Sequence, residues 1–342
     1  MLVASLAPQS GSFPRASLAA GLFAVQEECG GCIPFERFMR DALYHPDFGY
    51  YAARIREVGR HGDFSTWPTL DRAPARAVAA WLAAARFRHI IEVGAGNGRM
   101  AADVLRSLGW MRRLRTTYHI VEVSAPLRTL QQKRLARRRV VWHGDMESAL
   151  RAAGGRAGIV SNELPDAFPC RVFVRDGAAW KELALRLEEG GLREVFTACP
   201  NLPESSAFEH PFAGGARIEI HEAYRRWLIS WAGYWKSGAM LTIDYGAEMP
   251  ELYHRRPAGT LRAYAHHHRL SGSDIYGAFG RRDITCDVNF TDLRRWGEAL
   301  GWKTESLTSL GSFLADKLPK TRLPTEYAEA AASFQTLVQR TP

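Results

Sequence analysis

His89-Ile90-Ile91-Glu92-Val93-Gly94-Ala95-Gly96-Asn97-Gly98-Arg99-Met100 is the stretch whose reading decides the fold. Ile90, Ile91 and Val93 around one carboxylate, Glu92, predict a short buried strand. Gly94, Gly96 and Gly98 predict a tight turn. Ala102, Leu105 and Leu108 then share one face of a helix over Ala101 to Leu108. Strand, glycine turn and helix open a Rossmann-like sheet, whose ligands sit beyond the strand ends. Glycine lets the backbone pass close to a ligand with no Cβ between them.

A dinucleotide site reads G-x-G-x-x-G and aims a helix N-terminus at a pyrophosphate. Here the glycines alternate, and Arg99 stands where the third dinucleotide glycine belongs. Glu92, two residues before Gly94, would repel a pyrophosphate ~4–6 Å away by several kcal/mol where solvent is scarce. The same carboxylate suits a cationic nucleoside. S-adenosylmethionine (SAM) carries a sulfonium and an ammonium and no phosphate, so the pattern favours SAM over NAD. Tyr118 to Val121 predicts a second strand ending in Glu122, an acid placed to accept ribose hydroxyls. Val140-Val141-Trp142 predicts a third strand. Gly144-Asp145-Met146 follows it, with Asp145 placed for the adenine amino group. A solvated loop acid is the other reading of Glu122 and Asp145.

The chain has 342 residues, 46% of them hydrophobic, enough for one large or two modest domains. Its net charge of +9 admits a nucleic-acid or acidic-protein partner. The basic residues are spread along the chain, however, and the densest run, Lys133 to Arg139, reads as a solvated face. Nucleic acid is therefore not expected. Five cysteines argue against a secreted disulfide framework. Cys29 and Cys32 have C-x-x-C spacing, but Cys170, Cys199 and Cys286 stand alone, so no metal is expected. No apolar run reaches membrane-spanning length, and residues 1–25 lack a signal-peptide pattern. A cytoplasmic protein without a membrane partner is the expectation.

Phe35, Phe38, Met39, Ala42 and Leu43 form a helical stripe, broken at Pro46 and Gly49. Gly59 to Pro68 holds many hydrogen-bonding residues, among them Gly62, Asp63 and Thr66. A loop of that kind before a Rossmann core is a candidate lid or ligand contact. Ala73 to Ala85 predicts a helix leading into the first strand.

Several motifs in this order resemble one known family. FMRDALYHPDFGYY, GDFSTWP, EVGAGNGRMAADVLR, NELPDAFP (Asn162 to Pro169), LTIDYG (ending at Gly246), TLRAY (Thr260 to Tyr264) and DITCDVNF (Asp283 to Phe290) are similar to those of the MidA/NDUFAF7 (DUF185) family of SAM-dependent methyltransferases. The resemblance covers about residues 33–315. It implies a class I methyltransferase fold and, for the mitochondrial member, arginine methylation of a subunit of respiratory complex I. Departures fall in segments expected to line the site. Trp67 and Thr69 replace the family's Ser and Glu in G-D-F-x-T-S-P-E. Cys286, Asp287 and Asn289 differ from D-I-T-A-H-V-D-F, and Leu164-Pro165 fills the middle of N-E-x-x-D.

Ala157 to Ser161 predicts a strand with Asn162 and Glu163 at its C-terminal edge, where ligands bind in open α/β sheets. Asp166 lies three residues on, so two carboxylates could hold one cationic nucleophile. The other reading is a capping box, which Pro165 and Pro169 disfavour. Residues 171–198 alternate as inserted antiparallel strands. Ile218 to Trp235 predicts an amphipathic helix begun by Glu219 and Glu222, with a core stripe of Trp227, Trp231 and Trp235. Met240 to Asp244 predicts a buried strand. His266-His267-His268 cannot all ligate one metal from a strand, though His267 or His268 could serve as a base. Asp292 to Leu300 predicts a helix, Trp302 to Leu307 a last strand, and Thr325 to Val338 a final outer helix.

The fold expectation is thus α/β: a Rossmann-like class I core with a mostly parallel sheet, an N-terminal lid segment and inserted antiparallel strands and helices. Its parts are 1–32 (tail or first helix), 33–85 (helical lid segment), 86–170 with 236–310 (SAM-binding core), 171–235 with 247–290 (insertions) and 311–342 (C-terminal helix). Methyl transfer to a nitrogen, of a protein arginine or a small molecule, is the leading function. Displacement of methylthioadenosine from SAM itself and a non-catalytic assembly role are the alternatives, and a homodimer is left open.

Overall fold

The computed structural model describes residues 15–55, 71–189, 191–265, 268–321 and 331–342. Gly62, Asp63, Thr66, Trp67, His266 and His267 lie outside the described residues.

A helix over Arg15–Glu28 is followed by the two-residue strand β1 (Ile33–Pro34), the helix Phe35–Tyr44 and the helix Ala73–Ala85. The core then begins with β2 (His89–Val93), β3 (Thr117–Val121), β4 (Val140–His143) and β5 (Arg156–Asn162). β6 (Arg171–Asp176), β7 (Ala179–Glu188), β8 (Gly191–Ala198) and β9 (Arg217–Ile220) form the first insertion, in a sheet that β1 joins. β10 (Ser237–Ala247) returns to the core. β11 (Arg262–Ala265), β12 (His268–Leu270) and β13 (Asp283–Thr285) make a small sheet, and β14 (Val288–Asn289) pairs with the end of β10. The helix Phe290–Ala299, β15 (Lys303–Ser309), the helix Leu310–Lys317 and β16 (Phe334–Arg340) complete the chain.

The central order is β15-β16-β10-β5-β2-β3-β4. β10, β5, β2, β3 and β4 are parallel, so their C-terminal ends open on one edge. Helices cover both faces, which explains why these strands read as apolar runs rather than alternating ones. Trp231, Trp235 and Trp302 pack with ring centroids 5.0 to 6.1 Å apart, so Trp231 and Trp235 of the tryptophan stripe are core, while Trp227 is only partly buried.

Two expectations fail. The chain end is not helical through to Val338. From Phe334 it is a strand, antiparallel to both β10 and β15 and wedged between them. Trp302 to Leu307 is therefore not the last strand. Thr336, Leu337 and Val338 are buried on both faces of the sheet, and a segment covered on both sides carries no helical stripe to betray it. Ile218 to Trp235 is also not one helix. Arg217–Ile220 is β9, paired with β6, and the helix covers only Glu222–Ala232. Ile218 and Ile220 face one way and Glu219 the other, a period of two that the tryptophans downstream had masked.

Candidate functional site

A cleft of about 620 Å³ lies at the C-terminal edge of β2, β3 and β5. That size suits a drug-sized or nucleoside ligand. Gly94 and Gly96 form its floor, with φ of 67° and 53°, in the left-handed region that favours glycine. Gly94 N donates to Val121 O at 3.0 Å, tying the turn to β3. Gly98 is not on the wall. Its φ is also positive, and a Cβ there would stand 3.3 Å from Gln131, so its role is to admit the helix Ala125–Leu135 that carries Gln131.

Gln131 holds this end together. Its Nε2 donates to Gly96 O and to Glu122 Oε2, both at 2.8 Å, while Trp142 Nε1 donates to its Oε1 at 3.1 Å. Ser124 N donates to the other Glu122 oxygen at 2.9 Å. Glu122 is thus oriented from both sides, yet each oxygen keeps acceptor capacity for a ligand hydroxyl. Burial raises its pKa, and the Ser124 and Gln131 bonds oppose that. Glu92 lies on the wall, buried, and accepts a 2.6 Å bond from Tyr118 OH. Burial pushes its carboxyl up to about 7. It is therefore not the plain anion the sequence implies; a cation in the cleft would draw it into its ionised form.

Asp145 lines the cleft beyond β4 and also caps the helix Met146–Ala152, accepting from Ser148 N at 2.7 Å. Those Ser148 bonds lower its pKa. Met146 does not line the cleft: as the first residue of that helix it is turned into the core.

At the other end, β5 delivers Asn162 and Glu163 to the wall. Glu163 has a φ of 49°, and its N donates to Ile243 O at 2.9 Å. Asn162 Nδ2 donates to Glu163 Oε1 at 2.9 Å. A non-glycine residue in that backbone region costs about 1–3 kcal/mol, and such strain clusters at functional sites. Asp166 does not join Glu163 on the wall. The 3₁₀ turn Pro165–Ala167 buries it, and its N donates to Asp244 Oδ2 at 3.2 Å. Burial raises both carboxyls; Asp166 adds to the cost of ionising Asp244, while at Asp166 Arg262 opposes the rise and Asp287 adds to it. The expected pair facing a substrate is instead one carboxylate at the cleft and an acid pair behind it. No side-chain bond caps the turn, so the capping-box alternative fails as well.

Residues 75–308 match the family described as "Putative S-adenosyl-L-methionine-dependent methyltransferase". The chain belongs to that family. A COG1565 superfamily member from Burkholderia thailandensis, bound to S-adenosyl-homocysteine, superimposes with a TM-score of 0.80 at 26% identity, over 95% of this chain and 92% of that one. Protein arginine methyltransferase NDUFAF7 of Mus musculus is 27% identical over 310 residues, covering 78% of this chain and 67% of its own. The Drosophila melanogaster homolog is 25% identical over 311 residues, covering 79% and 68%. The protein is a SAM-dependent methyltransferase with the class I fold. The cleft fits its cofactor: the floor has no Cβ on it, and Glu122 offers oriented acceptors.

The methyltransferase site includes residues the sequence alone did not single out. Arg40 and Tyr44 reach the wall from the helix Phe35–Tyr44, and Tyr51 from the π turn Tyr50–Arg54. Tyr44 OH donates to Ala167 O at 2.9 Å, and Tyr51 OH to Asp283 Oδ1 at 2.7 Å. Ser124 Oγ donates to Tyr51 O at 2.6 Å. The available signal was three tyrosines, Tyr44, Tyr50 and Tyr51, bracketing a broken helix: large rings with a polar end. His268 stands exposed on β12 and does not line the cleft. The histidines that do gather are His89, His119 and His143. His119 Nε2 meets His89 Nδ1 at 3.0 Å, and its Nδ1 meets His143 Nε2 at 3.0 Å. Glu219 begins no helix; it is buried and accepts from Thr260 N at 3.0 Å and Thr260 Oγ1 at 2.9 Å. Among the described residues no cluster of His, Cys, Asp and Glu could hold a metal ion.

Proposed function

We propose that this enzyme methylates a guanidinium nitrogen, on an arginine of a protein partner. The observation that carries it is Glu163: a carboxylate on the cleft wall, bonded to Asn162, on a left-handed backbone at the strand edge. The naming of the NDUFAF7 relatives as arginine methyltransferases supports the same reading.

Bound in this cleft, SAM supplies a methyl group already activated by its sulfonium. The chain's own residues align and deprotonate. Gly94 and Gly96 admit the adenosyl backbone, Glu122 takes the ribose hydroxyls and Asp145 the adenine amino group. Arg40 is placed to hold the amino-acid carboxylate: its Nε bonds Asp41 at 3.2 Å, and its terminal nitrogens remain as donors. Glu163 pairs with the incoming guanidinium, localises a lone pair on one nitrogen and accepts the proton that nitrogen gives up. Phe168 and Trp227, with ring centroids 5.5 Å apart on the same wall, offer aromatic faces to a cation.

The test is to supply arginine-containing peptides and SAM and follow both products by mass spectrometry. S-adenosyl-homocysteine and a singly methylated peptide, formed together, are expected. Methylthioadenosine formed with no acceptor present would sink the proposal in favour of internal displacement.

A further inference from the structure

The cleft occupies one edge of the sheet; the opposite edge carries a different chemistry. Five connections lead into the parallel strands there: 86–88 before β2, 108–116 before β3, 136–139 before β4, 153–155 before β5 and 233–236 before β10. None contains an aspartate or glutamate. Arg86 and Arg88 stand in the first, and Arg112, Arg113 and Arg115 in the second. Arg137, Arg138 and Arg139 stand in the third, and Lys236 in the last. Thr117 N donates to Arg88 O at 2.9 Å and Tyr118 N to Arg139 O at 3.3 Å, so three connections lie side by side. None of these side chains has an ion-pair partner among the described residues. Their field reaches inward: after burial, Arg139 and Arg88 are the causes that lower the pKa of His89. The cleft edge is mixed, with Glu92, Glu122, Asp145 and Glu163 beside Arg40 and Arg99. Of charged side chains, the connections at the far edge carry basic ones only, although the basic residues are spread along the chain.

Apolar side chains stand out from the same basic edge. The helix Trp110–Arg115 buries no residue. Trp110 is 66% exposed, Met111 61% and Leu114 67%. At about 100° per residue they share roughly one third of the helix circumference, and the three arginines take the rest. A nucleic-acid backbone would neutralise the arginines but has no use for Met111 and Leu114. The boundary between lipid headgroups and acyl chains of an anionic bilayer takes both.

We infer that this edge docks on an anionic lipid surface, with Trp110, Met111 and Leu114 at headgroup depth and the arginines on lipid phosphates. The cleft then faces away from the lipid, open to its acceptor. The contact is peripheral, since no described helix is long and apolar enough to cross a membrane.

The full chain is tested by co-sedimentation with vesicles of equal parts phosphatidylcholine and phosphatidylglycerol, and of phosphatidylcholine alone. Retention on duplex DNA and on RNA is measured at the same salt. Binding to the mixed vesicles alone is expected. The triple change Arg112→Glu, Arg113→Glu, Arg115→Glu should weaken it on the order of 100-fold. Arg137→Glu with Arg138→Glu, on a separate connection, should weaken it too. Trp110→Ala with Leu114→Ala should weaken it several-fold and leave S-adenosyl-homocysteine affinity unchanged. The inference is overturned by equal binding to both vesicles, by binding to neither, by indifference to the arginine changes, or by tighter retention on nucleic acid.

Discussion

The two ends of the cleft are built differently. The end proposed to hold the nucleoside comes from 92–145, nearly continuous in the chain, and its key contacts are backbone turns and one strapping side chain, Gln131. The end proposed to hold the acceptor is assembled from distant segments: Tyr44 on an N-terminal helix, Glu163 after β5, Trp227 on the helix before β10, with Asp244 and Arg262 behind. A universal cofactor needs one geometry, which local turns can specify. An acceptor is particular to each enzyme, and insertions supply its surroundings.

Five measurements would break or sharpen that contrast. The largest effect is expected for Glu163→Gln, which should lower kcat by about 10²–10⁴-fold while S-adenosyl-homocysteine binding stays within a few-fold, because a proton acceptor is lost without its shape. An equal loss in binding would merge the two ends. Gly96→Val should do the reverse. A β-branched residue at φ 53° is strained, so calorimetric affinity for S-adenosyl-homocysteine should fall on the order of 100-fold.

The histidine ladder crosses β2, β3 and β4 and lines no part of the cleft. His119 is buried and its pKa is lowered to about 4, by burial first and then by His143 and His89. A histidine kept neutral when folded contributes stability above its unfolded pKa of 6.5 and loses it as pH falls towards 4. The stability deficit of His119→Leu relative to the parent should shrink by about 2 kcal/mol between neutral pH and the low end of that window, read from urea midpoints. The buried Asp166–Asp244 pair acts with the opposite sign. Its raised pKa values favour the folded state as pH falls, so Asp244→Asn should flatten a gain rather than a loss. The smallest effect is expected for Gln131→Leu. Removing the strap between Gly96 and Glu122 should weaken cofactor affinity about tenfold and leave Glu163-dependent chemistry intact once SAM saturates.

What was legible followed from periodicity and spacing. β2, its glycine turn and the helices Phe35–Tyr44 and Ala73–Ala85 were all readable, because short-range sterics and one buried face dictate each of them. The place of Glu122 on the cleft wall was readable because a strand end has a fixed relation to the turn beside it. Asp166 misled because three residues of separation say nothing about direction; the proline-bounded 3₁₀ turn aimed it inward. Met146 misled similarly: at a helix start successive side chains are turned about 100° apart, and that turn sends Met146 into the core beside the cleft-lining Asp145. β16 was hidden because its partners lie on both sides and its hydrogen bonds are all non-local.

By itself the sequence determined the strand, glycine bend and helix around Glu92 and put Glu122 at the end of the neighbouring strand, since these depend on contacts within one strand–turn–helix unit. Only the tertiary structure decided that Arg40, Tyr44, Glu163 and Trp227 share one wall. It also gathered the scattered arginines on the edge away from it. Both outcomes are set by where parallel strands begin and end in space, and no local interaction encodes that.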